Sequence, residues 1–117
     1  MRSSTLTMAA WIALAGITAW SVPEATAETA EENYGKYCAK CHGDDGSGNG
    51  PAADVLDVFP GDFTDCERMA SILDEDLATI TATGGEAVGR SRQMPAAARI
   101  PPEDLPALVE YVRSFCK

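Results

Sequence analysis

Cys38-Ala39-Lys40-Cys41-His42 constrains this chain more than any other feature of its sequence. Residues three apart on a helix lie on one face, so a helical turn here projects two thiols together. The imidazole of His42, the chain's one histidine, follows directly. Three chemistries compete for such a turn. A redox-active dithiol needs a strand before it and a βαβ setting, and nothing before Cys38 reads as a strand. A structural zinc needs four ligands, usually from two such pairs, and the other cysteines, Cys66 and Cys116, lie far apart. The third is covalent attachment of haem. C-x-x-C-H sets two thiols at a spacing that fits the two vinyl groups and lets the histidine reach the iron. The pentapeptide is therefore read as the site of one haem c, with Cys38 and Cys41 as its anchors and His42 as an axial ligand.

The N-terminal residues agree with that reading. Arg2 precedes an apolar segment, Met8 to Trp20, and Ala25-Thr26-Ala27 then offers a small-x-small cleavage site. The segment falls short of the roughly 20 apolar residues that span a bilayer. Residues 1–27 are expected to be a cleaved signal peptide, leaving residues 28–117 as one domain in the periplasm with no stable membrane span. A domain of about 90 residues buries little more than about 60% of its unfolded surface, so a cofactor or a disulfide is expected to complete its core. The net charge is −9, and the leader carries one charge of each sign. Without clustered Lys and Arg, such a chain is excluded as a nucleic-acid binder. Its redox partners, a protein donor and a protein acceptor, are expected to offer basic or neutral docking surfaces. Export also implies an oxidising compartment. Haem attachment would spare Cys38 and Cys41 from pairing, leaving Cys66 and Cys116 as one disulfide or as two free thiols.

A haem held by His42 has a sixth iron position to account for. No second histidine exists, and the methionines after the leader are Met69 and Met94. Lysine ligation and an open position are the alternatives, but a thioether is the natural candidate. Met69 falls in a short turn with one apolar face, where methionine usually fills core. Met94 falls in an irregular loop ended by Pro95. A loop side chain can be aimed across a flat cofactor, so Met94 is assigned as the second axial ligand. His/Met ligation raises the haem potential and leaves no position for oxygen or substrate. The expected activity is outer-sphere electron transfer, with no catalytic residues.

At these residues the chain resembles the class I, monohaem cytochrome c family in its small bacterial periplasmic form. The pentapeptide, Gly43, Gly46, Gly48 and Gly50-Pro51, the segment Phe59-Pro60-Gly61-Asp62-Phe63-Thr64, Met94-Pro95 and Tyr111-Val112-Arg113-Ser114-Phe115 carry the likeness. The resemblance implies that the Pro51 carbonyl accepts a hydrogen bond from His42, since outer acceptors fix a ligand's tautomer and ring plane. It also implies that the first and last helices cross. Cys66, Cys116 and the absence of a basic ring around the haem edge depart from the family's pattern.

The expected fold is all-α: the cytochrome c fold, three to five helices around one covalently bound haem. Glu28 to Lys40 reads as the first helix, with acidic residues at its positive end. Gly43 to Pro51 is too rich in glycine for regular structure. Asp74 reads as the N-cap of a helix to about Thr83, stopped by Gly84-Gly85. The last helix begins near Glu103 and buries Leu105, Leu108, Val109, Val112 and Phe115; the helix crossing that the resemblance implies would bring Tyr34 against Tyr111 or Val112. Leu56, Phe59, Phe63, Leu77, Ile80 and Val88 are candidates for the haem wall, and Arg90 and Arg92 for its propionates. The functional expectation is a one-electron carrier in a respiratory or dehydrogenase chain. The alternatives are a tightly bound cytochrome subunit of an oxidoreductase complex and a haem enzyme or sensor with an open iron position.

Overall fold

The first helix starts at a capping box. The Thr29 hydroxyl accepts from the Glu32 amide, and the Glu32 carboxylate accepts from the Thr29 amide, which satisfies two donors that a helix start leaves orphaned. Helix α1 therefore runs Ala30–Tyr37. The computed structural model describes residues 28–117, with Gly16, Trp20 and Ser21. The rest of the expected leader lies outside the described residues.

The expected helix from Glu28 to Lys40 is two pieces. Cys38 (φ −118°, ψ −42°) breaks the run, and α2, Ala39–His42, restarts it over the last four residues of the pentapeptide. After α2 the glycine loop folds back on the helix end. The amides of Gly48, Gly50 and Ala52 donate to the carbonyls of His42, Cys41 and Lys40 at 2.8, 3.0 and 2.9 Å. These are the acceptors that a helix C-terminus leaves without partners. Only glycine permits this approach at position 50, where a Cβ would stand 2.3 Å from the Lys40 carbonyl oxygen.

Asp65 caps α3, Cys66–Ala70, by accepting from the Arg68 amide at 3.1 Å. Helix α4 spans Asp74–Thr83 with Leu73, not Asp74, at the N-cap position. Asp74 is the first helical residue, and its carboxylate pairs with Arg113. Arg113 also donates to the carbonyls of Met69 (3.0 Å) and Ile72 (2.5 Å), so one guanidinium binds the α3–α4 junction to the last helix. That helix, α5, covers Leu105–Arg113 with Pro106 in its first turn, where a missing amide costs nothing. Short 3₁₀ turns occupy Ala53–Val55, Glu86–Val88 and Pro102–Asp104. Among the described residues there are five α-helices and no strand. The chain is all-α, as its sequence predicts.

The first and last helices meet. Tyr34 lies in the core with Met69, Leu108, Val112 and Ile100, and its ring centroid is 5.3 Å from that of Tyr111 and 5.0 Å from that of Phe115. Its hydroxyl donates to the Gly43 carbonyl at 2.6 Å, tying α1 to the residue that ends α2. Met69, 2% exposed, belongs to the same core cluster. A disulfide joins Cys66, at the start of α3, to Cys116, just beyond α5. Closing a loop of 50 residues stabilises the fold by roughly 4 kcal/mol in the chain-entropy account. Among the described residues, no helix is long and apolar enough to cross a membrane.

Candidate haem site

Cys38, Cys41, His42 and Met94 all open onto one cleft of about 770 Å³. Its walls are mostly apolar. All six predicted wall residues, Leu56, Phe59, Phe63, Leu77, Ile80 and Val88, line it. Val58 and Phe59 stand 61% and 75% exposed along it. Arg68 and Arg90 supply positive charge there; Arg92 does not line it.

Two segments far apart in sequence bring the thiols and imidazole, and the Met94 thioether, to the cleft. On one side, α2 sets the thiols and the imidazole, and the Cys38 and Cys41 thiols are unpaired. Burial, helped by the Cys41 thiol beside it, pushes the Cys38 thiol up to about 11, so it is protonated at neutral pH. The His42 Nδ1 lies 3.0 Å from the Gly61 carbonyl oxygen. A carbonyl only accepts, so the proton sits on Nδ1 and Nε2 keeps its lone pair for a metal. Burial holds the imidazole below its ordinary pKa; the Gly61 carbonyl pulls upward, and the Arg68 charge adds to the depression. The neutral ring is the form that ligates metal.

The acceptor is thus Gly61, which corrects the role that resemblance gave to Pro51. The physical reason lies in the glycine loop. Gly50 and Ala52 are committed to capping α2, which leaves Pro51 between them exposed to solvent. The Phe63 amide donates to the Gly46 carbonyl at 2.7 Å, which draws residues 60–63 over the His42 ring. No sequence signal singled out a backbone carbonyl nineteen residues from its donor.

On the other side, the loop carrying Met94 is stitched to the end of α4. Gly85 donates to the Met94 carbonyl at 2.9 Å, Arg90 donates to the Gly85 carbonyl at 2.8 Å, and Ala97 donates to the Thr81 carbonyl at 2.9 Å. A Cβ at Gly85 would fall 2.0 Å from the Ser91 carbonyl oxygen. The glycine pair read from sequence as a helix stop therefore also admits the loop to close contact.

A family profile described as "Cytochrome C oxidase, cbb3-type, subunit III" matches residues 25–112. The chain belongs to this cytochrome c family. Among solved structures, the KustC0563 c-type cytochrome is 28% identical with a TM-score of 0.60, over 77% of this chain and 100% of that one. A chain of the Kuenenia stuttgartiensis reducing HAO-like protein complex Kustc0457/Kustc0458 is 24% identical with a TM-score of 0.61, over 81% of this chain and 44% of that one. This second likeness shows the fold alone. No curated protein matches the chain.

Membership implies covalently bound haem c and haem-based electron transfer, and the residues of this cytochrome fit that group. Two unpaired thiols, a neutral imidazole and two thioethers, those of Met69 and Met94, share one cleft of about 770 Å³, within the range of small-molecule sites. The other chemistries open to the pentapeptide lack their settings. Among the described residues, no three His, Cys, Asp or Glu side chains gather as a zinc site would need. Nor, among the described residues, does a strand precede Cys38 as a thioredoxin-like dithiol would need.

Proposed function

We propose that this cytochrome is an exported, freely diffusing one-electron carrier with a single haem c, anchored by Cys38 and Cys41 and ligated by His42 and Met94. One observation carries the reading: His42 and Met94, from segments with no sequence relation, line the same cleft, whereas the other methionine there, Met69, is 2% exposed and packed in the core cluster. A bound haem supplies the one-electron couple. The chain's own residues set the conditions for it. His42 offers Nε2 because Gly61 holds the proton on Nδ1. The Met94 thioether, a soft neutral donor, favours the ferrous state and raises the potential. Leu77, Ile80 and the other apolar wall residues keep water from the ring, which disfavours the extra charge of the ferric state. Arg68 and Arg90 are placed to neutralise carboxylates on the cofactor.

Met94→Ala tests the assignment. The wild type should show sharp reduced c-type bands and, when oxidised, a weak far-red iron–thioether band. The variant should keep covalent haem, lose the far-red band, fall in potential and bind carbon monoxide in its ferrous form. An unchanged spectrum and potential would remove Met94 from the ligand set.

A signal peptide of residues 1–27 belongs to the same proposal. Its cleavage would place the protein in the periplasm, in a respiratory or dehydrogenase chain, and the mass of the secreted protein checks it. The family's description as an oxidase subunit favours a second reading, a cytochrome held firmly in an oxidoreductase complex. Co-purification of a large redox partner at stoichiometric amounts separates the two.

A further inference from the structure

The ring beneath His42 has a use that ligand binding alone does not account for. Phe63 lies nearly parallel to the imidazole, with ring centroids 4.4 Å apart and planes 13° from parallel. We propose that Phe63 is a positioning residue for His42: its ring sets the plane of the imidazole, and so tunes the haem iron without touching it. The inference rests on His42 being an axial ligand.

The argument is one of degrees of freedom. A single hydrogen bond from Nδ1 to Gly61 fixes one edge of the imidazole but lets the ring rock about that contact. A parallel aromatic face in van der Waals contact removes the rocking motion. Both restraints come from one short segment, Gly61 to Phe63, so they act in register.

The segment is itself immobilised. The Phe63 amide donates to Gly46 at 2.7 Å, and the Asp62 carboxylate accepts from the Thr64 amide and hydroxyl at 2.8 and 2.6 Å. The Phe63 ring packs on Phe115 (6.4 Å, 21°) and on Tyr34 (6.4 Å, 63°). Cys66 and Cys116, each close in sequence to one member of the Phe63–Phe115 pair, are joined by the disulfide. The imidazole plane is thus referred back to the rigid junction of the first and last helices. Orientation of an axial imidazole governs its π overlap with the iron d orbitals, and screening of that ring from water favours the ferrous state.

The test uses the haem-loaded protein and three variants, read by ferric electron paramagnetic resonance and by reduction potential. Phe63→Leu should alter the g values and shift the potential downward while the reduced bands and the far-red band persist. Phe63→Tyr, which keeps the aromatic face, should stay near wild type in both. Tyr111→Leu removes a ring from the same cluster that does not contact His42. It should lower Tm and leave g values and potential unchanged. If Phe63→Leu does not mature, Phe63→Ile removes the ring without adding a donor atom and makes the same comparison. Wild-type g values and potential in a ring-less variant would overturn the proposal, as would an equal shift in Tyr111→Leu. Failure of the haem reading itself looks different, since then the wild-type protein would lack the c-type bands.

Discussion

The two segments that bring the thiols and imidazole, and the Met94 thioether, to the cleft are made in different ways. On the thiol side, five consecutive residues carry both anchors and one ligand, and α2 with Cys38 at its N-cap arranges them through local geometry. The glycine loop then secures α2 with three bonds from residues at most twelve positions away. On the methionine side, local bonding is slight: the Met94 amide donates to the Ser91 carbonyl at 3.2 Å and the Gln93 amide to the Ser91 hydroxyl at 3.2 Å. The position of Met94 comes from backbone bonds between the end of α4 and residues 91–97, and from a glycine that allows two main chains to touch. A local motif holds its geometry through small shifts in the rest of the fold, whereas a stitched loop transmits them. Changes on the thiol side should therefore act on attachment in an all-or-none way, and changes on the methionine side should be graded.

The largest effect tests the first half of that contrast. Cys38→Ala with Cys41→Ala should abolish covalent haem, leaving a chain from which acid-acetone extraction removes all pigment. The thiols hold the cofactor by covalent bonds, and no other unpaired cysteine is available among the described residues. Pigment that survives extraction would mean that attachment does not run through the pentapeptide.

Gly85→Ala tests the second half at an intermediate scale. The added Cβ would stand 2.0 Å from the Ser91 carbonyl oxygen, so the loop or the end of α4 must move. Such overpacking costs about 1–3 kcal/mol, and the displaced segment is the one that carries Met94. Haem should remain attached and His42 ligation intact, while the far-red band weakens and the potential falls part of the way toward that of Met94→Ala. A full-strength band in Gly85→Ala would show that the stitch does not position the thioether.

The same contrast explains what could be read from the sequence. The pentapeptide announced itself because its chemistry depends on spacing within five residues. The last helix was legible from the recurrence of Leu108, Val109 and Val112, all buried, and the six predicted wall residues reached the cleft. Of the partners chosen by tertiary proximity, the Tyr34–Tyr111 contact follows from the helix crossing that the resemblance implies, but polar partners are not legible. The His42 acceptor is Gly61 and not Pro51 because loop capping consumes the residues around Pro51. Asp74 looked like a cap and is instead the first helical residue, paired with Arg113 from thirty-nine positions on. The capping box at Thr29 and Glu32 was local and could have been found, since threonine followed three residues later by glutamate is its known pattern. The break at Cys38 could not, because no proline or glycine marks it.

The smallest effect probes what joins the thiol side to the rest of the molecule. Tyr34 is 2% exposed, and its hydroxyl donates to the Gly43 carbonyl at 2.6 Å. Burial pushes that hydroxyl far above the ordinary tyrosine range, with nearby negative groups adding to the shift. It therefore stays protonated, and a donor, across the accessible pH range. Tyr34→Phe keeps the ring and its contacts with Tyr111 and Phe115 but leaves the Gly43 carbonyl without this partner. Losing one buried hydrogen bond of this kind costs about 1–2 kcal/mol, a fall in Tm of about 4–16 °C for a domain of this size. Because α2 keeps its loop caps, His42 and its Gly61 bond should not move, and the visible spectrum and potential should match wild type. A stability loss with an unchanged haem spectrum would confirm that α2 is internally fixed and only docked by Tyr34. A shifted potential in Tyr34→Phe would mean that the thiol side, like the methionine side, takes its geometry from distant contacts, and the contrast between the two would fail.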